Sequence, residues 1–251
     1  MDRKFEPVMP GRQSQLSPLP EVATREGAPA GSVPLPISQN TVLRNTYWLL
    51  ALTMLPTIAG AFVGMQLNFF AFFKASPIMA PLVMFGLMMG SLFVVTALRN
   101  SSWGVVALFG FTFIAGLALT PILTVALGLR NGGQLIGLAG AMTSVIFFAL
   151  ATVATVTKKD FSFMGKFLFV GLILLVVASI ANLFFQIPGA SVALSAIAVL
   201  IFSAYILFDV SRIVHGGETN YIMATMGLYL NIYNLFVSLL NILMAFSGNR
   251  D

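Results

Sequence analysis

Asp209 is the one carboxylate set inside a long apolar run, in the stretch YILFDVSRIVHGG. The other seven acidic residues, Asp2, Glu6, Glu21, Glu26, Asp160, Glu218 and Asp251, fall in the N-terminal tail, in polar breaks between apolar runs, or at the C-terminus. A carboxylate within an apolar helix in lipid is costly to keep, and by default it marks a proton or ion site. The competing reading is interfacial: Asp209 snorkels to the membrane surface or pairs with Arg212 one turn later.

Downstream, Gly227, Asn231, Asn234, Ser238 and Asn241 recur at alternating spacings of four and three, which places them along a single helical face. Such a seam must turn away from hydrocarbon, so it marks its helix as the centre of a bundle. Two uses fit it: hydrogen-bonded glue between helices, or the lining of a hydrated ion or proton path. Between Asp209 and the seam lies HGGETN, formed by His215, Gly216, Gly217, Glu218, Thr219 and Asn220. Paired glycines supply a turn and the polar residues after them an N-cap for the next helix. His215 is the only histidine and the chain has no cysteine. A lone histidine beside a glycine turn reads as a capping or interfacial group rather than a metal ligand.

No nucleophile with its base, no second intramembrane acid and no metal-binding set accompanies Asp209. The expectation is a protein that is not an enzyme, with no catalytic residues, no metal and no cofactor. A retinal-type Schiff base is excluded with them, because the last apolar run carries no lysine. The net charge of +5 forms no basic stripe with interleaved aromatics, so nucleic acid is not an expected partner.

The elements that must position these residues follow from composition. Charged residues make up 8% of the chain and hydrophobic ones 58%, far from the balance that a water-soluble domain needs to cover its surface. Apolar runs of spanning length are expected at about 46–67, 77–98, 103–127, 134–156, 164–185, 190–213 and 221–246, each able to cross a hydrocarbon layer of roughly 30 Å. The fold class is therefore an all-α integral membrane protein, a lipid-bilayer domain over 44–251 with seven transmembrane helices. Short loops make consecutive helices antiparallel neighbours. Pro56 and Pro121 are expected to kink or break the first and third spans. Small residues at Gly60 and Gly64, at Gly86 and Gly90, and at Gly133, Gly137 and Gly140 are expected to form helix contact faces.

Residues 1–43 hold seven of the twelve prolines among Ser, Gly, Gln and charges of both signs, which predicts a disordered tail. No cleaved signal peptide is expected, since no charged segment leads directly into a short apolar core and cleavage site. Ten of the thirteen Lys and Arg fall on the side of the tail: Arg3, Lys4, Arg12, Arg25, Arg44, Arg99, Lys158, Lys159, Lys166 and Arg212. Lys74, Arg130 and Arg250 fall opposite. The positive-inside rule then puts the N-terminus in the cytoplasm and the C-terminus outside.

The stretch from Phe208 to Leu243, FDVSRIVHGGETNYIMATMGLYLNIYNLFVSLLNIL, resembles the C-terminal signature of the Bax inhibitor-1, or transmembrane BAX inhibitor motif, family. VLRNTYWLL at 42–50 and TKKDFSFMGKFL at 157–168 extend the likeness to a bacterial branch whose members modulate the FtsH protease. The resemblance implies two three-helix layers around a central seventh helix. It implies a regulator in the bacterial inner membrane that binds FtsH through a cytoplasmic tail and restrains degradation of membrane proteins such as SecY. Other members of the wider family are pH-sensitive calcium leak channels with two aspartates sharing a proton, which makes Ca2+ an alternative partner. Asp209 matches the first of those aspartates, while Asn231 stands at the second. An amide there removes the like-charge coupling and leaves few anionic oxygens for calcium.

Overall fold

The computed structural model describes residues 37–157 and 159–247. The expected tail up to residue 36, and the charges at Lys158, Arg250 and Asp251, lie outside them. Among the described residues there are eight α-helices and no strand: α1 (Ile37–Gln66), α2 (Phe69–Ala75), α3 (Met79–Leu98), α4 (Trp103–Leu127), α5 (Gly132–Val156), α6 (Gly165–Phe185), α7 (Ala190–Val214) and α8 (Tyr221–Ser247). All but α2 are long and apolar enough to cross a membrane, giving the seven spans expected.

Two details differ from the sequence reading. Helix α1 begins at Ile37, inside the segment assigned to the tail, because Val42 and Leu43 already pack against the core and carry the helix through them. Between the first two spans, α2 takes the place of a plain loop. Asn68, in the left-handed region at φ 50°, ends the preceding helix. The rings of Phe69, Phe72 and Phe73 then pack with centroids 5.8–5.9 Å apart. Seven residues are too few to hold a helix by propensity, so this one depends on its aromatic packing, which periodicity does not register. Pro56 and Pro121 sit inside helices that run uninterrupted through them.

Helix α4 packs between α1 and α3, and α7 packs between α5 and α6. These two triplets form the layers, and α8 lies between them against α1, α4, α5 and α7. Tyr229, Leu228, Leu235 and Leu240 of α8 are among the most buried side chains. Outward-facing apolar residues such as Trp48, Phe93, Phe167, Phe185 and Leu200 are exposed, as lipid contact requires. At the edges the layers part. One crevice of about 410 Å³ opens between α1 and α5, and another of about 490 Å³ between α3 and α6.

The glycine motifs divide sharply. A Cβ built on Gly60 would run into the backbone oxygen of Phe113, and one on Gly116 into that of Thr57, so α1 and α4 cross with their main chains almost touching. Gly64 is filled in the same way by the Thr120 hydroxyl. Gly86, Gly90, Gly133, Gly137 and Gly140 have nothing within 4 Å of an added Cβ, which corrects the expectation that they form contact faces. Small residues at four-residue spacing permit close approach, but they do not dictate which face the neighbouring helix takes.

Candidate functional site

The HGGETN segment builds a complete junction between α7 and α8. Helix α7 closes with Gly216 in the left-handed region at φ 76°. The Gly217 N–H donates to Arg212 O at 2.7 Å and the Gly216 N–H to Ile213 O at 3.3 Å, the paired bonds of a Schellman ending that uses up orphaned carbonyls. His215 adds an Nδ1 contact to Ser211 O at 2.9 Å. Helix α8 then starts on Asn220, whose Oδ1 accepts from Ile222 N at 3.0 Å and Met223 N at 3.1 Å. The Asn220 amide also donates to Arg99 O at 2.9 Å and Asn100 Oδ1 at 3.0 Å, fastening the α3–α4 loop to this junction. Glu218 Oε1 accepts from Asn220 N at 2.9 Å. Thr219 lies between them, outside either helix.

Directly inside this junction Asp209 meets α8. Asn231 Nδ2 donates to Asp209 Oδ2 at 2.7 Å, and Asn231 is itself buried. Gly227, one turn before Asn231, makes room for the carboxylate: a Cβ there would sit 3.0 Å from Asp209 Oδ2. The carboxylate is not sealed. It borders a cavity of about 200 Å³ together with Arg212, Glu218, Met223 and Gly227.

Arg212, the ion-pair candidate that the competing reading sets against Asp209, turns toward the loop. Its Nη2 lies 3.7 Å from Glu218 Oε2 and donates to Gly217 O at 3.2 Å, and its guanidinium stacks 5.5 Å above the Phe208 ring. The loop supplies both a carboxylate and a carbonyl on that side, whereas Asp209 is already taken by an amide. The sole ion pair among the described residues is therefore at the cavity's rim. Nor do three carboxylate or imidazole groups converge anywhere among the described residues, while calcium prefers six to eight oxygens with several of them anionic.

The rest of the seam does less bridging than its spacing suggests. Asn234 Nδ2 donates to Leu230 O and Ser238 Oγ to Asn234 O, both 2.7 Å and both within α8. Asn241 crosses to α7, with Nδ2 2.7 Å from Ser195 Oγ and 3.3 Å from Ser191 O. Asn231 and Asn241 thus clamp α8 to α7 at two points ten residues apart. Spacing alone missed the opposite side of α8. There the Tyr229 hydroxyl meets Thr57 Oγ1 at 2.7 Å and Thr112 O at 3.5 Å, and Thr225 Oγ1 donates to Thr46 O at 3.3 Å. The available signal was a tyrosine and a threonine one turn apart in the last span, with Thr46 and Thr57 of the first span opposite them.

A second polar cluster lies outside the bundle. Phe161 N donates to Ser211 Oγ at 2.9 Å, and Ser211 Oγ lies 3.5 Å from Asp160 Oδ1, so the α5–α6 loop is held on the end of α7. Hydrogen bonds from Ser162, its backbone N–H at 2.8 Å among them, together with nearby His215, hold the exposed Asp160 carboxyl below its usual value.

Comparison with known proteins accords with this architecture. An uncharacterized protein of Pseudomonas aeruginosa is 45% identical over 210 residues, 84% of this chain and 91% of that one. An uncharacterized membrane protein of Vibrio cholerae is 42% identical over 213 residues, 85% of this chain and 93% of its own. The protein of Escherichia coli K12 named modulator of FtsH protease YccA, called inner membrane protein YccA in a second strain, is 40% identical over 209 residues, 82% of this chain and 91% of that one. The family model described as inhibitor of apoptosis-promoting Bax1 matches residues 39–248, nearly the whole helical body with its α7–α8 junction, and the chain belongs to that Bax inhibitor-1 family.

Proposed function

We propose that this chain is a regulatory binding protein of the bacterial inner membrane that engages an FtsH-type membrane protease and slows its degradation of other membrane proteins, SecY among them. The observation that carries this reading is the 40% identity to the E. coli modulator of FtsH over 82% of the chain. The chain acts here by binding and not by catalysis. The Pro-rich segment before α1 is the handle the protease engages, on the cytoplasmic side with the α7–α8 junction, and the C-terminus lies outside. The excess of Lys and Arg on the tail side supports that orientation.

The test is co-purification with FtsH from membranes extracted in mild detergent, with the SecY half-life measured on overexpression. Binding to FtsH and a lengthened half-life are expected, both reduced when the segment before α1 is deleted. Absence of FtsH binding, with an unchanged half-life, overturns the proposal.

One observation favours a second reading, a cation leak past Asp209: the carboxylate borders a cavity instead of being sealed in packing. It ranks lower because Asn231 occupies the position facing Asp209 and spends its amide closing on that carboxylate. Calcium flux into proteoliposomes that disappears in Asp209→Ala would promote it, and flux equal to empty liposomes would remove it.

A further inference from the structure

We propose that the crevice between α3 and α6 is a lipid site that holds one acyl chain of a phospholipid, drawn from the leaflet at the α6–α7 end of the bundle. The shape fixes the class of occupant. The lining runs from Ser191, in the first turn of α7, to Phe202 eleven residues further on, a depth of roughly 16 Å at 1.5 Å per residue. That is one leaflet, since the full hydrocarbon layer is about 30 Å thick. A partner's transmembrane helix is too wide: a cylinder about 10 Å across and that long fills on the order of 1,200 Å³. The crevice holds about 490 Å³. A methylene takes about the room of a water molecule, roughly 30 Å³, so the space accepts a single chain on the order of fifteen carbons.

The chemistry of the walls agrees. Leu82 and Phe85 of α3 face Val176 and Ile180 of α6 across the opening, all four of them exposed. No charged residue lines the crevice, so it offers nothing to a cation and does not select a headgroup by charge. Its floor carries Asn234, Ser238 and Asn241, which donate to Leu230 O, to Asn234 O and to Ser191 O with Ser195 Oγ, respectively. Methylenes lying over this floor therefore leave few donors unpaired, the second Asn234 N–H among them, and so carry a limited desolvation cost. The α1–α5 crevice serves as the internal control, since it is comparable in size but backed by Ile232 rather than the amide seam.

The whole chain, extracted in mild detergent, should carry one phospholipid through native mass spectrometry, with phosphatidylethanolamine and phosphatidylglycerol retained equally. Ala198→Trp, which fills the floor, should cut that retention at least fivefold, whereas Ala51→Trp in the other crevice should leave it unchanged. Equal retention in both variants, or strong headgroup selection, overturns the proposal. A second measurement does not rely on the bulky variant. Because the natural chain has no cysteine, Ser238→Cys is a unique thiol. In vesicles it should react at least tenfold faster with an apolar maleimide than with a charged, membrane-impermeant thiosulfonate. Rapid reaction with the charged reagent would show a water-filled vestibule and sink the lipid assignment.

Discussion

The helix pairs α1–α4 and α7–α8 are both closely packed, and they are joined by opposite means. Between α1 and α4 the contact is main chain against main chain: Gly60 lies on Phe113 and Gly116 on Thr57, with no room for a methyl group on either side. Between α7 and α8 the contact is made by polar side chains at Asn231–Asp209 and at Asn241 with Ser195 and Ser191. In lipid no hydrophobic driving force joins helices, so close packing and interhelical hydrogen bonds are the two means available, and this chain assigns one to each pair. The first joint depends only on shape. The second depends on directional hydrogen bonds, and it borders the cavity and the loop junction.

The largest effect should come from breaking the shape-dependent joint. Gly116→Leu drives a side chain into the α1 backbone, where overpacking costs about 3 kcal/mol or more. Thermal unfolding in detergent should show a large fall in midpoint or loss of the folded fraction. Gly137→Ala, placed where an added Cβ meets nothing, should be neutral or slightly stabilising. Equal effects at the two glycines would erase the distinction between the joints. Next in size is the polar joint. Asn231→Leu removes the donor to Asp209 and leaves the carboxylate facing an aliphatic side chain, a loss of about 2 kcal/mol for a hydrogen bond to an ionisable group. The same unfolding measurement should register it. No change in midpoint would mean that α7 and α8 are held by packing alone.

Sequence patterns read these two joints unequally. The Asn231 and Asn241 contacts were legible because a polar face in lipid has one place to go, and the helix period identifies its members. The same rule overreached at Asn234 and Ser238, which satisfy themselves within α8. Period places a residue on a face and leaves its rotamer open. The glycine joint was half legible: Gly60 and Gly64 were found, but Gly86, Gly90, Gly133, Gly137 and Gly140 carry the same spacing and touch nothing. What separates them is the position of the neighbouring helix, a tertiary fact with no signature in one strand of sequence. Six of the seven spans were legible to within about two residues because hydrocarbon thickness sets their length, and only the start of the first was missed. Arg212 was legible as an ion-pair candidate, but its partner was not. Helical spacing brings Asp209 within reach, but the loop's Glu218 and Gly217 carbonyl are brought there only by the turn at Gly216.

The junction beyond the polar joint gives a smaller and more local effect. Asn220→Ala removes the cap of α8 and the two bonds to the α3–α4 loop, and loss of a cap costs about 1 kcal/mol. Hydrogen exchange should rise at Ile222 and Met223 before it rises elsewhere in α8. A uniform rise along the helix would mean that the junction is not a separate unit from the polar joint.

The smallest effect concerns the α5–α6 loop, and its sign follows from Asp160. That carboxyl is held below its ordinary value of about 4 by Ser162 and His215, so the bound form is the ionised one. A depressed carboxyl adds stability that is fully present above the ordinary value and is lost as pH falls through the lower one in the folded chain. The protection of the Ser162 amide, donated to Asp160 at 2.8 Å, relative to a free amide at the same pH should therefore be present at neutral pH and fall below about pH 4, while the Asn231 contact inside the bundle reports no such loop event. Asp160→Ala should abolish the pH step at Ser162 and leave the overall unfolding midpoint almost unmoved, because the group is exposed and solvent screens its interactions. A pH step that survives in Asp160→Ala would transfer the titration to another group on the end of α7 and would tie the loop to the polar joint instead of setting it apart.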